Sequence, residues 1–207
     1  MDEPRHEPGD GDPDLTSLHV RRAIGGDDES LGWLVERLSP LLQAQARYRL
    51  GPKLAFRCDP EDVVHDAWLT TLPRIAELPP RDGRFTPVLL KFLSTTILNR
   101  VRNLLRDYAR HGTESLPPFD MSSDRSGAVT QAMRHERVDA VRAALDSLET
   151  GDREVILLRG VEQQPAKLVG VLLEISEEAV SKRYRRALEK LRARLPGSVF
   201  DELSPDA

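Results

Sequence analysis

The sequence predicts an all-α fold: two small helical domains joined by a flexible linker, the second a helix-turn-helix. Three observations carry that expectation. Apolar residues recur at helical spacing along most of the chain, with no good alternating run of the kind a half-buried strand shows. Residues 111–132, "HGTESLPPFDMSSDRSGAVTQA", break the pattern with Ser, Pro, Gly and Asp and carry no period, which reads as a linker. Near the end, two short helical patterns follow each other across only a few residues, and the second is strongly basic.

Taken in order, residues 1–14 hold six acids and one Arg among Pro and Gly and read as a disordered acidic tail. "LTSLHVRRAIGGDDESLGWLVERLSPLLQAQARYRL" reads as two helices parted by the "GGDD" break. Asp59 and Pro60 supply an N-cap and a first-turn proline for "PEDVVHDAWLTTLPRI", whose end Pro73 disturbs. After a loop containing "PPRDGR" comes a long helix ending "LLKFLSTTILNRVRNLLRDYAR", with Leu93, Ile97, Val101, Leu104, Leu105 and Tyr108 on its apolar side. Residues 15–110 make the first domain, and a second helical unit begins at Met133 and runs to 196. Within it, "QPAKLVGVLLEI" predicts a short helix with Leu168, Val169, Leu172 and Leu173 inward. Ser176 caps the next, whose inward stripe is Val180, Tyr184, Ala187, Leu188, Leu191 and Leu195. Residues 197–207 are left as a C-terminal tail.

Composition narrows the function classes. A single cysteine, Cys58, excludes a disulfide framework and a cysteine-based zinc cluster and reads as a buried structural thiol. The densest apolar run, "PVLLKFL", falls far short of the ~20 residues that span a bilayer, so no membrane insertion is expected. "MDEPRHEPGDGDPD" lacks the basic and apolar regions of a signal peptide, so the chain reads as soluble and cytoplasmic.

Charge points towards partners. The formal net charge is -4, yet residues 181–194 hold seven Lys/Arg against one Glu. A helix-turn-helix presents such a second helix to the DNA major groove. The long helix repeats the logic: Thr95, Asn99, Arg102, Asn103, Arg106 and Arg110 lie opposite its apolar stripe, mixing cations for phosphates with amides for bases. A solvated charged face explains either helix singly; two across a linker suggest two DNA-contacting surfaces. "EDVVHD" gathers Glu61, Asp62, His65 and Asp66, a pattern that a divalent metal can use. That cluster stands alone, without a phosphate loop or nucleophile motif. No catalytic residue, metal site or cofactor is therefore expected, and an acidic helix docking a basic partner is the better reading.

Four blocks, "HVRRAIGGDDESLGWLVERLSPLL", "DPEDVVHDAWL", "LLKFLSTTILNRVRNLLRDYAR" and "LLEISEEAVSKRYRRALEKLR", stand in the order and spacing of bacterial extracytoplasmic-function sigma factors. The chain resembles that family over roughly residues 15–195, apart from the linker. The resemblance implies that the first domain binds core RNA polymerase and opens the promoter -10 element, while the second reads the -35 element. Asp62, His65, Asp66 and Leu69 then dock polymerase; Asn99, Arg102, Asn103 and Arg106 meet the -10 element; and Ser181, Lys182, Arg185 and Arg186 meet the -35 element. Its partners are core polymerase and promoter DNA, with an anti-sigma protein as a further one. The sequence departs from the family by placing Glu174 where a turn glycine is common, which calls for a left-handed Glu at some energetic cost or a less sharp turn. Two other readings remain: a stand-alone helix-turn-helix regulator, and a sigma-like protein that titrates partners without starting transcription.

Overall fold

The computed structural model describes residues 15–54, 57–111 and 128–204. The acidic tail, most of the 111–132 stretch and the last three residues lie outside the described residues. Among the described residues there are eight α-helices and no β-strand, only an isolated bridge between Arg81 and Arg84.

Helix α1 (Leu15–Ile24) ends at the "GGDD" break, where Gly26 takes φ 91. Asp27 then starts α2 (Asp28–Leu54): its carboxylate accepts from the backbone N–H of Glu29 and Ser30 and from the Ser30 hydroxyl. These bonds to the charged form hold the Asp27 carboxyl below the usual range, the Ser30 hydroxyl contributing most. Gly51, at φ 63, bends the end of α2. Helix α3 (Pro60–Thr71) opens as the sequence predicts, with Asp59 accepting from Glu61 N–H at 2.9 Å. At Pro73 the chain tightens into a 3-10 turn over Leu72–Glu77. Helix α4 (Thr86–His111) closes the first unit, burying Leu89, Leu90, Leu93 and Ile97 against α2 and α3.

Helix α5 (Ala128–Asp146) begins five residues before the expected Met133. Helix α6 (Thr150–Val155) runs on into a π-helical turn over Ile156–Val161, where Glu162 N–H reaches back five residues to Leu157 C=O. Helices α7 (Ala166–Leu173) and α8 (Glu177–Arg194) form the helix-turn-helix.

Three expectations need correcting. Among the apolar side chains expected inward on α7 only Val169 is fully buried; Leu168 and Leu172 are exposed, and Val171 is 71% exposed. Leu105 of α4 is likewise 44% exposed rather than part of the apolar stripe. The C-terminal segment is no loose tail: Val199–Glu202 form a 3-10 turn that buries Val199, Phe200 and Leu203. Apolar side chains and a bonded carboxylate outweigh the turn-rich composition of that segment.

The two units also pack on each other. Glu202, in the C-terminal turn, is buried and accepts from Arg37 Nη2 at 2.9 Å, Thr16 N–H at 3.3 Å and Thr86 Oγ1 at 3.2 Å. Arg37 also donates to Gly197 C=O, and Arg84 to Glu202 C=O. Glu162, after the π turn, accepts from Arg49 Nε at 2.7 Å and from Gln45 Nε2 at 3.2 Å. Helix α2 therefore grips the second unit through Arg37 and Arg49, each holding a buried carboxylate.

Candidate nucleic-acid interface

Three helix faces hold the residues singled out in the sequence. On α3, Val63, Val64, Ala67 and Trp68 are buried, and Trp68 Nε1–H donates to Ser39 Oγ at 3.0 Å. That phasing puts Asp62, His65, Asp66 and Leu69 on one outward stripe at the i, i+3, i+4, i+7 spacing. His65 is exposed, Leu69 is 58% exposed, and the two aspartates are half-buried. Burial, with Asp59 and Asp66 nearby, raises the Asp62 carboxyl above its ordinary range. Asp66 faces Arg100 Nε at 3.4 Å, so this helix is tied to α4 as well as open to a partner. Among the described residues, no three His, Cys, Asp or Glu are gathered so as to hold a metal ion.

On α4 the structure brings Asn99, Arg102, Asn103 and Arg106 together on one exposed face. Arg102 Nη1 donates to Asn99 Oδ1 at 3.3 Å, and Arg106 Nη2 donates to Asn103 Oδ1 at 2.6 Å. Each amide oxygen takes a guanidinium one turn on, which leaves the amide NH₂ groups to donate outward. Cations and amide donors alternate along the helix, a surface able to hold phosphate and touch base edges at once.

The turn before α8 is built by two residues. Glu174 adopts φ 55 and ψ 41, the left-handed conformation the sequence calls for when glycine is missing there. Gly170, one turn earlier, lets the chain fold back: Ile175 N–H donates to Gly170 C=O at 3.0 Å. A β-carbon at Gly170 would stand 2.8 Å from Ile175 C=O. Ser176 then caps α8, accepting from Ala179 N–H at 3.2 Å; the Glu178 carboxyl is held below its usual range by its own backbone N–H and by the Ser176 side chain.

Helix α8 buries Val180, Tyr184, Ala187, Leu188 and Leu191, as the period predicts. Burial pushes the Tyr184 hydroxyl up to about 12. Lys182 and Arg185 are exposed, and Ser181 is half-buried with its hydroxyl on Glu177 C=O at 3.2 Å. Arg186 stands differently. Its Nη2 donates to both oxygens of Asp152 at 3.0 Å, and Lys190 Nζ lies 3.8 Å from the same carboxylate. Asp152, on α6, is a residue the sequence reading missed; an acid near "REVILL" gives no sign of a basic partner 34 residues on.

Comparison with known proteins agrees with this geometry. The family model described as "Sigma-70, region 4" matches residues 144–193, from the end of α5 to the last turn of α8. The RNA polymerase sigma factor NccH of Alcaligenes xylosoxydans xylosoxydans is 27% identical over 191 residues, covering 90% of this chain and 98% of its own. CnrH of Cupriavidus metallidurans, also an RNA polymerase sigma factor, is 28% identical over 191 residues, covering 88% and 95%. The ECF RNA polymerase sigma factor SigD of Mycobacterium tuberculosis is 24% identical over 173 residues, covering 84% and 80%. The chain is thus similar to RNA polymerase sigma factors, one of them of the extracytoplasmic-function class, over most of its length. The region 4 match encloses the helix-turn-helix together with the α6 segment that carries Asp152. Among the described residues, no helix is long and apolar enough to cross a membrane.

Proposed function

We propose that this chain is a sigma factor that directs core RNA polymerase to specific promoters in the cytoplasm, with α3 on polymerase, α4 on the -10 element and α8 on the -35 element. Residues 15–110 would serve the first two tasks and residues 133–196 the third. The observation that carries this reading is the pair of exposed cation-bearing faces, Asn99–Arg106 on α4 and Ser181–Arg185 on α8, in one chain. The role is regulatory and asks no bond-making chemistry of these residues. Polymerase supplies that chemistry; the sigma factor supplies position.

The α3 stripe suits a protein partner better than DNA. Two aspartates would repel phosphate, while Leu69 offers an apolar anchor among charges. An anti-sigma protein would compete for such a face. The α8 face has Lys182 and Arg185 beyond the acidic first turn of Glu177 and Glu178, so the helix would approach DNA with its middle rather than its tip. A glutamate at that tip can accept from a cytosine amino group.

Run-off transcription with purified core polymerase tests the reading. The chain should start transcription from a subset of a promoter library that core polymerase alone ignores. DNA binding without initiation would favour a stand-alone regulator, and polymerase binding without initiation would favour a titrating protein.

A further inference from the structure

The basic residues of α8 spread across one outward face, and its two flanks differ in what they touch. Arg183, Arg186 and Lys190 lie on the side towards α6, at i, i+3 and i+7. There Asp152, only 1% exposed, holds Arg186 through both oxygens and draws Lys190 to 3.8 Å. Next to it, a β-carbon on Gly151 would stand 2.6 Å from Arg183 Nη1, so the missing side chain leaves room for that guanidinium over the first turn of α6. Lys182, one turn before Arg186, is exposed at the middle of the outward face, and Arg185 lies on the flank away from α6. The Arg186 side chain keeps 56% of its surface in solvent, so it is near DNA reach but electrically answered.

We infer that Asp152 is a positioning and specificity-determining residue, which withholds Arg186 and Lys190 from phosphate and leaves promoter contact to the Ser181–Lys182–Arg185 side. This rests on the reading of α8 as the helix that meets DNA. The physical reason is the division of binding into two parts. Phosphate contacts raise affinity for every sequence alike, whereas base contacts separate one sequence from another. A buried carboxylate that neutralises cations on the flank of the helix cuts the first part and spares the second. Arg186, which the sequence places among the DNA-binding residues, then acts chiefly as the strut that seats α8 on α6.

Salt titration of the full chain on a fluorescein-labelled duplex of random sequence tests this, because the slope of log affinity against log salt counts phosphate contacts at ~0.9 per phosphate. Asp152→Asn keeps the shape of the group and one of its two acceptor oxygens while removing its charge. It should steepen the slope by about one to two units and tighten binding to this duplex several-fold. Arg186→Gln should leave the slope unchanged, and Lys182→Ala should make it shallower by about one unit. Circular dichroism identifies folded variants. If Asp152→Asn does not fold, the Arg186→Gln arm decides alone: an unchanged slope supports the inference and a loss of one unit overturns it. An unchanged slope in folded Asp152→Asn, with Lys182→Ala still effective, overturns the inference and leaves the DNA reading intact. No effect of Lys182→Ala would instead count against α8 as the DNA-contacting helix.

Discussion

Glu174 and Gly170 make the turn of the helix-turn-helix together, and they should respond to mutation in opposite directions. A non-glycine residue in the left-handed region carries a cost of roughly 1–2 kcal/mol. Glu174→Gly should remove much of it and raise the midpoint of thermal unfolding by a few degrees, reduced somewhat by the greater freedom of glycine in the unfolded chain. Gly170→Ala forces a β-carbon against the Ile175 carbonyl and should lower stability by about 1–3 kcal/mol, the usual range for overpacking. Equal effects from the two substitutions would contradict this account of the turn. His19 is a second residue-scale test. It stacks on Trp33 at 4.0 Å with Nδ1 at 3.0 Å from Ser30 Oγ, and burial, with Arg22 nearby, depresses its pKa. The folded chain then binds fewer protons at His19 than the unfolded chain does, so stability falls as pH drops below the ordinary histidine range and levels off below the depressed value. His19→Gln should flatten that part of a melting-temperature profile between pH 7.5 and 5.5, because the contribution of depressed carboxylates such as Asp27 is lost only at lower pH.

Elements were legible in the sequence where a cap or a long period announced them. Asp59 with Pro60, the Ser176 cap, the break at "GGDD" and the buried stripe of α8 all appear where the residues indicate. Helix α7 was misphased for a physical reason. "AKLVGVLL" is two turns long and almost wholly apolar, so no polar side marks which face looks out. The close approach of Gly170 to the turn decides it, and leaves Leu168, Val171 and Leu172 in solvent. Helix α3 was easier, since Trp68 and its valines fix the inward side. The structure also sharpens the test of its outward side. Reversing Asp66 would set a cation against Arg100, so Asp62→Arg with Leu69→Ala is the cleaner pair. Neither side chain is fully buried, so the variant should keep its helical circular dichroism. Loss of a central apolar anchor costs ~2 kcal/mol or more at a protein interface, and the reversed charge adds to it. Co-purification with core polymerase should fall below detection; undiminished recovery would remove α3 from the polymerase interface.

At the scale of the whole molecule, α2 is the spine that joins the units. Its Arg37 and Arg49 hold Glu202 and Glu162, partners 165 and 113 residues away in sequence. Nothing local in the sequence marks such pairs, which is why the chain reads as two tethered units while the structure packs them together. The packing has a consequence for function. Elements centred ~25 base pairs apart lie roughly 85 Å apart along a duplex at ~3.4 Å per pair. A compact chain of this length has a radius of gyration of about 17 Å, so it must open to meet both elements. Replacing the carboxylates by Glu162→Gln with Glu202→Gln should loosen the units, because Arg37 loses the carboxylate it holds and Arg49 keeps only Glu154. Small-angle scattering should then give a larger radius of gyration than the parent chain at the same salt. An unchanged radius would mean that apolar packing between α2 and α5, not the two carboxylates, holds the units together.

The proposal that two helices of this chain read two promoter elements is tested most directly by transcription from a randomised promoter library with core polymerase. The parent chain, Arg185→Ala and Asn103→Ala are compared, each checked for folding. An arginine paired to a guanine edge is worth ~1–3 kcal/mol of discrimination, and an amide on adenine has a similar range. Arg185→Ala should flatten base preference at one or two positions of the upstream element and leave the downstream element sharp. Asn103→Ala should do the reverse. Base preferences identical to the parent in both folded variants would contradict the account.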